Sequence, residues 1–205
     1  MATEGGPTGS AEVSHRGNTT EGGPTDTTTG TVGAEVSHRG NIADKAWWGP
    51  RVWRILHSLA EINDRNDVGP AWRQVLHLTS EILPCAICRE HFRGHVRRVS
   101  FPIGVSNYAA LRRFLWTAHA GTAKAGDIPF PEDRLTAEYG GGREEIVIRV
   151  TGLVTEVVTA FRGERVLDAV HVVSLNPWHR AMAQLVAMLR YPQPPAAPRR
   201  VGGRR

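Results

Sequence analysis

Pro84-Cys85-Ala86-Ile87-Cys88-Arg89-Glu90-His91-Phe92 is the stretch on which the reading of this chain turns. It holds both cysteines of the 205 residues, with two residues between them. A pair that closes so short a loop stabilises little as a staple. A structural disulfide framework also needs pairs spread along the chain. The spacing therefore points to redox work or metal binding. Pro84 marks a helix start, and the polar-rich residues after it predict a helix from Cys85 to about Val99, with Phe92 and Val96 turned inward. Free N–H groups and the helix dipole at such a start favour a thiolate and lower a cysteine pKa. Cysteines at i and i+3 share a face and can form a readily exchanged disulfide.

Cys85, Cys88, His91 and His95 fall within three helical turns, so a zinc site is the alternative. Structural zinc sites draw ligands from two separated segments, and the chain has no second cysteine pair, so no metal is expected. A thioredoxin-like fold would set the CxxC in a βαβ unit. The flanks read otherwise.

Upstream, Val52, Ile55, Leu56, Leu59 and Ile62 recur at helical spacing after Gly49-Pro50, the proline suiting a first turn. Trp72, Val75, Leu76, Thr79, Ile82 and Leu83 predict a second helix. Downstream, Phe101-Pro102 and Gly104 read as a turn, and Ser106 as the N-cap of a helix carrying Tyr108, Leu111, Leu115 and Ala118. Loops are expected over 126–131 and 140–142. Ile146, Val150, Leu153, Val154, Val157, Val158 and Phe161 step at helical spacing again, although their β-branching leaves a strand open for 146–150 and for 166–173. Asn176-Pro177 opens a last helix with Trp178, Met182, Leu185, Val186 and Leu189. The expected fold is all-α: a four-helix bundle with the CxxC at a helix N-terminus, plus a mostly helical C-terminal extension.

The ends differ in composition. Residues 1–42 are mostly Gly, Thr, Ser and single charges, with Thr3–Thr8 repeated at Thr20–Thr25 and Ala11–Asn18 at Ala34–Asn41. Such a segment has too little apolar surface to offset its ordering entropy, so a disordered arm is expected. The folded portion divides into 43–139 and an extension, 140–191, followed by a basic tail, 192–205. The net charge is +5, and Arg199, Arg200, Arg204 and Arg205 lie in that tail. Without a basic, aromatic-interleaved patch on the folded portion, nucleic acid is not an expected partner. Met1 to Ser10 has no apolar core of a secretory signal, and no apolar run is long enough for a membrane span, so a soluble protein is expected.

Three motifs in order carry a resemblance: Trp48-Gly-Pro-Arg-Val-Trp53-Arg-Ile-Leu56-His57, then Pro84-Cys85-Ala-Ile-Cys88-Arg-Glu-His91-Phe92, then Trp116-Thr-Ala-His119. Together they resemble the ERV/ALR family of sulfhydryl oxidases, whose pattern is WGxxxWxxLH, PCxxCxxHF and a later HNxVN. The likeness covers about Trp47 to Phe130. It implies a helical bundle holding FAD beside the CxxC, with Cys85 exchanging with substrate thiols and Cys88 facing the flavin. Trp48, Trp53, His57, His91, Phe92, Trp116, His119 and Lys124 are then expected around the cofactor. Electrons would pass from a protein dithiol, or a thioredoxin-like carrier, through the disulfide and flavin to O2, giving hydrogen peroxide. The resemblance also implies a homodimer, working in the mitochondrial intermembrane space or, for compact members encoded by large DNA viruses, in the host cytoplasm or virion.

The chain departs from the family in three places. Where the family has HNxVN it reads His119-Ala120-Gly121-Thr122-Ala123, so both asparagines are alanine, with Lys124 next to supply a charge to the phosphates. Asn63-Asp64 stands where relatives have tyrosine-proline. With no further cysteine there is no shuttle disulfide, and Cys85 must meet its substrate directly. The lost asparagines support an alternative: a degenerate relative with weak or no FAD, serving as a dimeric binding module.

Overall fold

The computed structural model describes residues 44–99, 103, 107–122, 131–163, 167 and 169–192. The arm 1–42, the turn at Phe101-Pro102 and Gly104, the Ser106 cap, Ala123, Lys124, the 126–130 loop and the tail beyond Pro192 lie outside the described residues. The elements are α1 (Lys45–Glu61), α2 (Gly69–Ile82), α3 (Ala86–Arg97), α4 (Tyr108–Thr122), a 3-10 turn (Glu132–Arg134) leading into α5 (Leu135–Tyr139), α6 (Arg143–Gly163), α7 (Ala169–Val172) and α8 (Leu175–Arg190). Among the described residues there is no strand. The fold is all-α, and the strand alternative is overturned: Ile146–Val150 lies within α6 and 169–172 forms α7. Seven inward positions of α6, from Ile146 to Phe161, recur at helical spacing and are buried, so tertiary packing overrides the β-preference of their branched side chains.

α1 packs on α6, α6 on α8, α8 on α2, α2 on α3, α3 on α4, and α4 back on α1. The helices thus form a closed ring around one apolar cluster running from Trp48 on α1 to Leu189 on α8. The C-terminal helices α6 and α8 complete that ring between α1 and α2. Glu61, its side chain 5% exposed, ties three elements: it accepts from Arg112 Nε at 2.7 Å, Tyr108 Oη at 3.1 Å and Thr136 Oγ1 at 2.9 Å. A buried carboxylate satisfied this fully is not left as an uncompensated charge.

Two helix starts fall earlier than the sequence suggests. α1 begins at Lys45, with Pro50 inside it, because the Asp44 carboxylate accepts from Ala46 N at 3.0 Å and caps the first turn. α8 begins at Leu175 rather than after Asn176, its N-cap position taken by Ser174. No helix among the described residues is long and apolar enough to cross a membrane.

Candidate active site

Cys85 and Cys88 are joined as a disulfide at the N-terminal end of α3, their Cα atoms 5.1 Å apart. Cys85 is the N-cap residue, and its Sγ accepts from the backbone N–H of Cys88 at 3.2 Å. The two sulfurs are not equivalent. Cys88 is 8% exposed, whereas Cys85 is half-buried and followed by the exposed Ala86 and Ile87. The approach to the pair is held by Arg89, whose Nη1 donates to Leu83 O at 2.7 Å and to Pro84 O at 3.3 Å. A capping N–H and the positive end of the helix both stabilise negative charge on sulfur once the bond opens.

Behind Cys88 lies a narrow crevice. Trp48, Val52 and Trp53 from α1, Leu83 after α2, and Phe92 from α3 give it apolar walls; Lys45, Thr79 and Thr122 supply its polar atoms. The Lys45 ammonium donates to the Thr122 carbonyl and closes one end. Trp53 meets Phe92 edge-on at 5.7 Å, and the indole N–H of Trp48 is buried without a partner. An unsatisfied buried donor is uncommon, and one beside a crevice points to a ligand acceptor or an ordered water.

His57 and His119 stand behind Trp53. The His119 ring stacks on Trp53 at 4.4 Å, the His57 ring stacks on Tyr139 at 4.5 Å, and His57 Nε2 lies 3.3 Å from His119 Nδ1. Burial, with His119 and Arg112 nearby, pushes the His57 pKa down to about 3. Burial and Lys45 push His119 down to about 4. Burial, with Glu138 adding to it, raises the Tyr139 pKa to about 12. Both imidazoles are therefore neutral at ordinary pH, one donating to the other. The unfolded chain takes up their protons near pH 6.5 and the folded chain does not, so stability falls as pH drops below about 6.5 and levels off only near the folded pKa values. Denaturant unfolding is expected to show a loss of about 3 kcal/mol between pH 7.5 and pH 5: about 2 from His57 and less from the more solvated His119. A His57→Gln, His119→Gln double variant should flatten this slope; an unchanged slope in that variant would assign the loss to other groups.

The other expected residues are spread more widely. His91 is exposed and lines, with His95, Arg98, Gly94, Glu90 and Gly121, a polar cleft of about 330 Å³ on α3. At Gly121 a Cβ would stand 2.8 Å from His95 Nε2, so a larger residue there would push the His95 ring aside. His95 and Arg98 also border a second cleft, of about 540 Å³, against Arg113, Phe114 and Thr117 of α4. Trp116 is half-buried one turn ahead of His119 and is not among the residues lining the Cys88 crevice. Ala120 presents only a methyl group, and Lys124 lies outside the described residues. Among the described residues, no three His, Cys, Asp or Glu side chains gather as a metal site.

Sequence reasoning missed Lys45, Thr79, Thr122 and Tyr139. Lys45 has a signal in hindsight, one turn before Trp48 on the same helix face. Tyr139 has none, because only the tertiary fold brings α5 against α1.

No curated protein and no solved structure matches the chain. A model of the Erv1 / Alr family matches residues 50–125, a span that includes the disulfide, Trp53, His57, Phe92 and His119. That family is one of sulfhydryl oxidases, and a lone exchangeable disulfide beside an aromatic crevice is the arrangement such chemistry needs. Residues 50–125, which carry the disulfide and the Trp53 and Phe92 walls beside it, thus match the Erv1 / Alr family.

Proposed function

We propose that the chain is an FAD-dependent thiol oxidase that forms disulfides in protein substrates and passes their electrons to O2. The observation that carries this is the asymmetric disulfide: Cys85 faces outward, while Cys88 faces a crevice walled by Trp48, Trp53 and Phe92. The residues fit a flavin. The crevice holds only about 10 Å³ and must widen to admit a tricyclic ring, but its walls are flat and apolar and the orphaned Trp48 Nε1 offers a donor to one of the ring's acceptors. His57 and His119, both neutral, support the Trp53 wall without adding a buried charge. His91, His95 and Arg98 are the groups to hold a diphosphate in the neighbouring cleft, a task that Ala120 cannot share. Bound FAD would supply a two-electron acceptor for the Cys88 thiolate and a route to dioxygen.

The protein's own part is thiol–disulfide exchange. A substrate thiolate attacks Cys85 Sγ; the Cys85–Cys88 bond breaks, and Cys88 leaves with the electron pair as a thiolate. The second substrate thiolate then attacks the substrate sulfur of the mixed disulfide, and Cys85 leaves. The substrate is oxidised to a disulfide and the enzyme pair reduced by two electrons. Transfer of those electrons and two protons to O2 gives H2O2 and restores the starting pair. The backbone N–H of Cys88 steadies charge on Cys85 throughout, and Arg89 holds the Leu83-Pro84 carbonyls so that Cys85 stays at the cap.

The purified full-length chain should be yellow, release close to one FAD per chain on denaturation, and consume O2 when given dithiothreitol. A colourless protein that takes up no added FAD would instead support the binding-module alternative, which Ala120 favours.

A further inference from the structure

Five large apolar side chains stand in solvent among the described residues: Ile87, Ile148, Val172, Val173 and Tyr191. Single exposed apolar residues are ordinary, so their placement is what carries meaning. Ile87, 70% exposed, lies between the two cysteines on the first turn of α3. Val172 and Val173 lie at the end of α7, and α7 packs on α2. His171 of α7 lies 3.8 Å from Glu81 Oε2, while Glu81 Oε1 accepts from Arg93 Nη2 of α3 at 3.0 Å. Glu81 sits in the last turn of α2, one turn ahead of Pro84-Cys85. A single carboxylate thus joins α7 and α3 to the corner that ends in the disulfide. Of the five exposed apolar side chains, Ile87 is the one on the turn that carries the disulfide.

This inference rests on the thiol-exchange reading of Cys85. To react, a substrate sulfur must come within bonding distance of Cys85 Sγ, because Cys88 is shielded. An incoming chain therefore lies across the first turn of α3, where Ala86 and Ile87 face outward. We propose that Ile87, exposed between the two cysteines, is the docking residue for the thiol substrate, and that this substrate is a protein segment carrying an apolar side chain beside its cysteine. Covering an exposed Ile removes apolar surface from water, and that gain is available only to a substrate with an apolar group at the matching place. Selection between substrates then comes from Ile87, and reactivity from Cys85.

The test uses the full chain, two reduced CxxC peptides that differ only in Leu or Ser beside the reactive cysteine, and dithiothreitol. Wild type is expected to show about tenfold higher kcat/KM for the Leu peptide, which is about 1.4 kcal/mol of differential binding. Ile87→Ser should bring the ratio of the two peptides close to one. Ile87→Leu, which keeps an apolar side chain at the same place, should retain the preference; this second variant guards against a disturbed disulfide in the first. Equal kcat/KM for the two peptides in wild type, a ratio unmoved in Ile87→Ser, or a ratio lost in Ile87→Leu would overturn the docking residue while leaving the oxidase reading intact. A wild-type protein that oxidises neither peptide nor dithiothreitol would overturn the oxidase reading and this inference with it.

Discussion

Cys88→Ser is expected to abolish dithiol-driven O2 consumption, lowering turnover by about a thousandfold or more, because exchange then has no leaving thiolate and no sulfur facing the crevice. Cys85→Ser should be equally inactive, for the opposite reason: the remaining thiol is 8% exposed and out of a substrate's reach. The two variants are therefore told apart by chemistry rather than by rate. In Cys88→Ser the free Cys85 should be alkylated readily and should attack an added aromatic disulfide, forming a mixed disulfide and releasing the aromatic thiolate. In Cys85→Ser the free Cys88 should resist alkylation until the chain is unfolded. Neither loss should be a folding defect. The disulfide closes a very short loop, and its removal changes the unfolded state little. The serine hydroxyl placed in the apolar crevice at position 88 costs about 1–2 kcal/mol, which denaturant unfolding would register separately. Near-wild-type turnover in Cys88→Ser would sink the proposed function, and equal alkylation of the two single thiols would sink the assignment of outer and inner sulfur.

The sequence made the dithiol and its immediate walls readable because they are local. Cys85, Cys88 and Phe92 lie within two turns of one helix, and Trp48 and Trp53 lie on another, so period and motif place them. The helices themselves followed from apolar spacing, with Phe92, Leu111, Leu115, Phe161 and Leu189 buried as that spacing requires. What could not be read was set by contacts between distant segments. The β-branched run of α6 is locally ambiguous and is settled by burial against α1 and α8. The start of α1 looked like Pro50, yet Asp44, six residues earlier, offers a better cap than proline offers a first turn. Tyr139, which stacks on His57, carries no pattern of its own, and the spacing that puts Thr79 on the inner face of α2 does not say that it lines the crevice. The same holds for the closing of the ring by α6 and α8: periodicity announces two amphipathic helices but not that they fill the space between α1 and α2.

That closure makes Trp178→Ala the substitution with the largest expected effect on stability. Trp178 on α8 is fully buried, and its Nε1 donates to Thr79 Oγ1 at 3.0 Å. Thr79 in turn donates to Val75 O at 2.8 Å and lines the crevice beside Cys88. The C-terminal helix, outside the span matched by the family model, thus props a wall of the candidate active site. Truncation to alanine removes an indole from a packed interior and is expected to cost about 4 kcal/mol. That is a large share of the roughly 5–15 kcal/mol typical of a folded domain, and it should lower Tm by about 10 °C or more. Trp178→Phe separates the two contributions, keeping most of the ring contact while losing the hydrogen bond, and is expected to cost about 1 kcal/mol beyond its change in packing. If α6 and α8 belong to the same cooperative unit as the disulfide-bearing helices, unfolding of Trp178→Ala followed by far-ultraviolet circular dichroism and by alkylation of Cys88 in the Cys85→Ser background should shift together. A variant in which Cys88 stays protected after α8 has melted would show that the crevice stands without its C-terminal support.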